Sequence, residues 1–459
     1  MPSTTPPQVG PLSDFAGGQA EWRWPFYRHG LRPSTSATDA QALPTALPLL
    51  PGLGSACFVE WRYWSVLSVA FHGIVGLSLV NPEQRFASIA EGGLLLIIAG
   101  VFDRPAPPGA AHPSHGEQPL FEPRAAELCW MHLFPVAACT FDQPERGGLS
   151  ADDGDCHLEL RQRDATHADL LIESSSGLRL KLTHHGLAGT AIASVLDDGQ
   201  ADAMSRGMGQ RLKRRLAGLI GAHWVVHCPS PVAATDGEIK IDPSALAELP
   251  TAPGADADSY ATPALRARVD AGDREFRWQR ASGYYEHSFG IQPLPLHGWD
   301  FLFVPDIERG QSLVMQTYRG SRALRYVEVV WQQDGQARHQ RFGPDCLQLT
   351  WPETTIDPVL RARRPLRRLI RAEAAGLSLQ VDNRVLHRIP LLRPHRLAVR
   401  HFFISEEIGV ADWTLRDAQD RVIAQAVNQP CGGELAHFRT RTSMATQQHR
   451  RPRMTKATR

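Results

Sequence analysis

The segment Gly283-Tyr284-Tyr285-Glu286-His287-Ser288-Phe289-Gly290 sets a carboxyl beside an imidazole in a strand-like run bounded by glycines. Alternate side chains of a strand face opposite ways, so Tyr284, Glu286 and Ser288 share one face and Tyr285, His287 and Phe289 the other. Glu286 and His287 are therefore not expected to work side by side. A Glu286 carboxyl turned into an apolar interior loses solvation and its pKa rises, which lets it act near neutrality as a general acid toward an alkene. His287 would orient the motif or position water. The structural alternative is that Glu286 pairs with an arginine and only braces the sheet.

A second segment, Phe58-Val59-Glu60-Trp61-Arg62-Tyr63-Trp64, is dense in aromatic rings and carries its own carboxyl. Large aromatic faces suit an apolar polyene and stabilise a carbocation formed from it, although core packing accounts for them equally well. Glu60, Trp61, Tyr63, Trp64, Tyr284, Tyr285, Trp299, Tyr318 and Trp331 are the candidates to line a substrate cavity. Phosphate-loop, zincin and common hydrolase chemistry lack their motifs: there is no G-x-x-x-x-G-K-[ST], H-E-x-x-H or G-x-S-x-G. His184 and His185 are adjacent in a strand-like run and point apart, which argues against joint metal ligation. A satisfied surface or edge pair is expected there, and neither a metal nor another cofactor is expected.

These residues sit on strands. Leu178, Leu180 and Leu182 alternate with Arg179 and Lys181, and Cys156, Leu158 and Leu160 alternate with His157, Glu159 and Arg161. Leu377, Leu379 and Val381 repeat the pattern before a turn signal at Asp382-Asn383. The apolar stretches 65–80 and 92–101 are too short for a membrane helix, which needs ~20 residues, and read as buried strands. The fold class is thus mainly β, built from antiparallel barrel or sandwich domains with a few short helices. The clearest helix signal lies within 201–219, where Met204, Met208, Leu212 and Leu216 recur at helical spacing. No repeat of solenoid period is present.

At 459 residues the chain is too long for one ordinary core, and Pro-rich stretches at 103–124 and 250–264 punctuate it. The expected organisation is an irregular leader over 1–54, β domains over 55–265 and 266–440, and a basic disordered tail over 441–459. With 49 basic and 48 acidic residues, the net charge gives no reason to expect nucleic acid. Arginines crowd 361–371, and seven Lys or Arg follow Glu434 without an acid. Both runs are expected to be solvated faces, with contact to anionic lipid as the lesser alternative. Seven scattered cysteines without a C-x-x-C pair suit a reducing compartment, and the N-terminus has no secretory pattern. A cytoplasmic protein is expected, with peripheral membrane contact left open.

GYYEHSFG, together with His223-Trp224-Val225-Val226-His227-Cys228-Pro229 and the strand Gly237 to Asp242, resembles the carotenoid 1,2-hydratase (hydroxyneurosporene synthase) family. Its lipocalin-like relatives include tocopherol cyclases and fungal Diels-Alderases. Glu60-Trp61-Arg62-Tyr63-Trp64 is similar to the strand that opens the first barrel of that family, and Cys431-Gly432-Gly433-Glu434 resembles its closing strand. Arg62 and Phe289 depart from the pattern, each standing where the family often has tryptophan, while the acidic position before His is kept as Glu286. The resemblance implies two lipocalin-like domains and cofactor-free chemistry on isoprenoid or polyketide double bonds. The expected function is hydration of an apolar, isoprenoid or carotenoid-like small molecule, with Glu286 and His287 at the catalytic position. Cyclisation of a polyene, and carriage of an apolar ligand unchanged, stay open as alternatives.

Overall fold

The computed structural model describes residues 58–81, 92–102, 123–141, 148–164, 166–196, 223–253, 259–291, 298–318, 325–356, 363–394 and 400–440. The expected leader, tail and 201–219 helix lie outside them. In chain order the first strands are β1 (Phe58–Leu67), β2 (His72–Val80), β3 (Gly93–Val101), β4 (Arg124–Ala125), β5 (Leu128–Phe134), β6 (Cys139–Phe141) and β7 (Gly148–Asp152). There follow β8 (Cys156–Gln162), β9 (His167–Ser174), β10 (Leu178–Gly186), β11 (Ile192–Leu196), β12 (His223–Ile241), helix α1 (Pro243–Ala247), β13 (Tyr260–Ala261), helix α2 (Pro263–Asp270) and β14 (Glu275–Ile291). The remainder is β15 (Trp299–Asp306), β16 (Gln311–Tyr318), β17 (Arg325–Gln333), β18 (Gln336–Phe342), β19 (Leu347–Ile356), β20 (Arg363–Ala374), β21 (Leu377–Pro394), β22 (Arg400–Arg416) and β23 (Val422–Thr440).

These strands form two curled, antiparallel half-barrel sheets. The first runs β13-β5-β3-β2-β1-β14-β12-β10-β9-β8-β7-β6, with β11 on β12; the second runs β18-β17-β16-β15-β23-β22-β21-β20-β19. β4 crosses over to pair in parallel with β21 of the second sheet. Sheet membership changes between Ile291 and Trp299, since β14 is hydrogen-bonded between β1 and β12 of the first sheet and β15 belongs to the second. Among the described residues, no helix is long and apolar enough to cross a membrane.

Strand patterning follows from position. The outer strand β10 alternates buried and exposed residues, whereas β2 and β3 are buried almost throughout. Central strands must satisfy two cores at once, one on each face. Leu77, Leu79, Leu94 and Leu96 pack inside the first half-barrel. From the opposite faces of the same strands, Ile74, Ala99 and Val101 join Phe301, Phe303, Val330 and Ile404 of the second sheet in a shared seam. A third cluster, including Leu302, Val304, Trp331, Ile370 and Trp413, fills the second half-barrel.

A β-bulge decides which face of β14 meets which core. Thr235 pairs with Ala281 and Gly237 with Trp278, so two steps along β12 match three along β14. Arg280, at φ 47°, occupies the extra position, and its backbone N–H donates to Asp236 Oδ1 at 2.9 Å. Before the bulge Phe276 and Trp278 point into the first half-barrel; after it Ala281 and Tyr285 do. The one-residue shift turns Tyr284, Glu286 and Ser288 to the seam.

Candidate functional site

The seam brings the informative residues of β1 and β14 against the second sheet. Ser288 stands opposite Trp61 and Glu286 opposite Tyr63 in the β1–β14 register. The Glu286 carboxyl is buried and receives three bonds: Trp61 Nε1 donates to Oε1 at 3.2 Å, Ser288 Oγ to Oε1 at 2.9 Å, and the Tyr284 hydroxyl to Oε2 at 2.9 Å. Cys228 Sγ lies 2.9 Å from the same Tyr284 hydroxyl. Among the described residues no arginine joins this arrangement, so the ion-paired brace is not what these bonds form.

Two further carboxyls meet Glu286 from the second sheet. Glu406 of β22 and Glu434 of β23 are direct cross-strand partners. Tyr63 donates to Glu406 Oε2 at 3.0 Å, and Trp299 Nε1 donates to Glu434 Oε1 at 2.5 Å. Glu434 is carried next to Gly432 and Gly433. A Cβ at Gly432 would run into the Phe303 ring, and one at Gly433 would meet the Phe301 carbonyl oxygen. Side-chain-free backbone there lets β23 lie close against β15.

Burial dominates the electrostatics. It raises the pKa of Glu286, against the lowering effect of the bonds from Trp61, Ser288 and Tyr284. Glu406 is pushed up to about 8 by burial, with the Tyr63 bond opposing and the Glu286 and Glu407 charges adding. Glu434 is raised well above the usual carboxylate range by burial and by the charges of Glu406 and Glu286. Like charges this deep in an aromatic seam do not all ionise together near neutrality.

Glu286 and Glu434 both line a narrow cleft with Trp61, Val226, Ser288, Trp299, Phe301 and Gln316. Its interior is about the size of one water molecule. Gln316 Oε1 is buried without a hydrogen-bond partner among the described residues. Aromatic contacts continue away from the cleft: Tyr284 stacks on Phe303 at 4.3 Å, and Tyr63 meets Phe303 edge-on at 5.9 Å. The arrangement supplies protonated carboxyl, hydrogen-bond partners for one small polar molecule, and π faces.

The other sequence candidates are elsewhere. Glu60, Trp64, Tyr285 and His287 occupy the opposite faces of β1 and β14, inside the first half-barrel. His287 Nε2 sits 2.7 Å from Glu60 Oε1, Arg62 pairs with Glu60 at 3.8 Å and bonds Gln162, and Trp64 stacks on Tyr285 at 5.0 Å. Burial pushes Glu60 up to about 8 against the lowering pull of Arg62. Trp331 lies in the core of the second half-barrel, because alternation along β17 sends Val330 to the seam and Trp331 away from it. The Tyr318 side chain falls outside the described residues. His184 is buried, with no hydrogen-bond partner on either ring nitrogen among the described residues and its ring 5.8 Å from Tyr285. The expectation of a satisfied surface or edge pair fails for it, since β10 turns His184 inward. Among the described residues, no group of three His, Cys, Asp or Glu side chains is placed to hold a metal ion.

The arginine run also departs from expectation. Arg364 and Arg368 point inward from β20 and are buried; Arg368 bonds Asp300 at 2.9 Å, Asn383 at 2.9 Å and Glu407 at 2.5 Å. Alternation splits the run into internal and external arginines, with Arg367 outside on Asp382.

No protein-family model and no curated protein sequence matches the chain. Solved structures do resemble it. CghA with Sch210972 is 12% identical, with a TM-score of 0.46 over 84% of this chain and 89% of that one. A protein named as AttH from Nitrosomonas europaea is 12% identical, with a TM-score of 0.43 over 82% and 91%. Kievitone hydratase from Nectria haematococca is 8% identical, with a TM-score of 0.39 over 87% and 95%. All three TM-scores lie below 0.5, a level that assigns neither substrate nor reaction.

Proposed function

We propose that the protein is a hydro-lyase that adds water to a carbon-carbon double bond of an apolar, isoprenoid-like substrate by carboxylic-acid protonation. The observation that carries this reading is a pair of buried carboxyls, Glu286 and Glu434, that wall one aromatic-lined cleft of about one water's size. Protonating an alkene needs an acid that is neutral near pH 7, and burial keeps carboxyls in that state. The resulting cation is stabilised by the π faces of Trp61, Trp299 and Phe301. Water is held by the hydroxyl and amide groups of Ser288 and Gln316. One proton from the carboxyl and one water add across the double bond, and the proton lost by the water restores the acid, without redox change.

Cleft size favours hydration over the alternatives. Folding a whole polyene for cyclisation, or enclosing it for carriage, calls for a cavity of roughly 300–1,000 Å³. A space of this size matches the one water that hydration consumes.

Incubating the protein with a panel of acyclic isoprenoids in ¹⁸O-labelled water tests the reading by mass spectrometry. The expected product gains one labelled water, and Glu286→Gln lowers its formation by about 100-fold or more. An isomer of unchanged mass would establish cyclisation instead. Retention of full turnover by a folded Glu286→Gln variant would remove Glu286 from the chemistry.

A further inference from the structure

The resemblance that pointed to Glu286 gave no role to Glu406 or Glu434, and a single carboxyl would have to give its proton to the double bond and then take one back from the attacking water. Resting on the hydration reading, we propose that Glu434 donates the proton to the double bond while Glu286 accepts the proton from the attacking water. Glu406 is a positioning residue that keeps Glu434 protonated.

Geometry divides the roles. Glu286 and Glu434 reach the same cleft from different sheets, so a substrate edge can enter between them. Glu286 receives donors from Trp61, Ser288 and Tyr284, a set that favours the carboxylate. Among the described residues, Glu434 receives a side-chain bond from the Trp299 indole alone, on Oε1, which leaves Oε2 to carry a proton. Its cross-strand partner Glu406 adds a second carboxyl against it and is itself tied to Tyr63. Among the described residues, the titratable groups acting on the three carboxyls are one another, Tyr63, Tyr284 and Glu407, and none of these carries a positive charge. Cys228 borders the group through Tyr284. Glu407 points the other way, into its ion pair with Arg368.

The step balances. The Glu434 O–H bond breaks as the π pair forms a C–H bond, leaving a cation on the neighbouring carbon. Water oxygen bonds that carbon and passes a proton to the Glu286 carboxylate. One water has been added and nothing oxidised or reduced. The proton returns from Glu286 to Glu434 through the water that next enters the cleft.

Infrared titration of the ligand-free full chain tests the assignment without a substrate. As pH rises, the carboxyl C=O bands should disappear in the order Glu286, Glu406, Glu434, identified by the Gln variant of each. Glu434→Gln should remove the band that persists to the highest pH. Ser288→Ala, which takes one donor from Glu286 with little change in volume, should move the first loss upward and provides a check if a Gln variant fails to fold. A band from Glu286 that outlasts that of Glu434, or an unmoved first loss in Ser288→Ala, would overturn the assignment. With turnover in ¹⁸O-labelled water, Glu434→Gln should lose the alkaline limb of the pH–rate profile and Glu286→Gln the acidic limb, each with about a 100-fold or greater fall in rate. The expected infrared order without ¹⁸O incorporation would leave the protonation assignment standing and remove the hydration reading.

Discussion

Glu286 and His287 are neighbours in sequence and occupants of different compartments. The His287 imidazole bonds Glu60 at 2.7 Å in the first half-barrel, where both side chains are at most 1% exposed. Its role on that face is to satisfy a buried carboxyl. Replacing His287 by Leu should therefore cost about 1–3 kcal/mol in urea unfolding, the penalty for taking a partner from a buried acceptor. Product formation at saturating substrate should fall less than about tenfold, far short of the Glu286→Gln loss. A His287→Leu variant as inactive as Glu286→Gln while equally well folded would place the imidazole in the chemistry. The separation of Glu286 from His287 was legible from strand alternation alone. Glu406 was not, because an acidic pair inside His401-Phe402-Phe403-Ile404-Ser405-Glu406-Glu407-Ile408 belongs to no motif. The signal it does carry is chemical: carboxyls at core positions of an apolar strand require a partner or a proton.

At the scale of the element, β14 shows why alternation reads relative faces and not absolute ones. Counting by two from Phe276 and Trp278 would send Tyr284, Glu286 and Ser288 into the first half-barrel; the extra residue at Arg280 sends them to the seam. The bulge carries no glycine, and its residues Gln279 and Arg280 look like ordinary exposed strand positions. The barrel-like β class, the strands and the aromatic walls could be read from sequence, whereas the face depended on a backbone angle. Arg280 at φ 47° bears a left-handed conformation that costs an L residue roughly 1–2 kcal/mol, and a β-branched side chain suffers most there. Arg280→Val should thus destabilise by about 1–2 kcal/mol in equilibrium unfolding, while Arg280→Gly should cost less than about 0.5 kcal/mol. Equal effects of the two substitutions would mean that the strained angle does not govern this strand.

For the whole molecule, buried groups whose neutral forms are favoured lie in more than one compartment, beside ion pairs such as Arg368 with Glu407, so stability reports on compartments together. Burial lowers His184, in the first half-barrel, to about 3, with the charges of His185 and His167 adding. Burial likewise lowers His72 to about 4, against the bond to the Cys431 carbonyl that ties the two sheets at 3.2 Å. Unfolding below pH 6.5 lets both histidines take up protons, so their contribution to stability falls as the medium is acidified from 6.5 toward 3. Glu60 and Glu406, each pushed up to about 8, have the opposite sign: the folded state holds protons that the unfolded chain releases above 4.5. Their contribution is lost as pH rises from 4.5 to 8. His339, which Glu328 and the Gly189 carbonyl raise against the effect of burial, slopes the same way above 6.5. Above pH 6.5 the contribution of the two buried histidines tails off over about one unit, and toward pH 8 the decline reports on the raised groups. Urea unfolding free energies should accordingly fall across that window, and Glu406→Gln should make the fall shallower by removing the seam's share while leaving that of Glu60. An unchanged slope in Glu406→Gln would mean that the Glu406 carboxyl is already ionised at pH 6.5, and the two sheets would then be joined across a buried negative charge instead of a neutral carboxyl bonded to Tyr63.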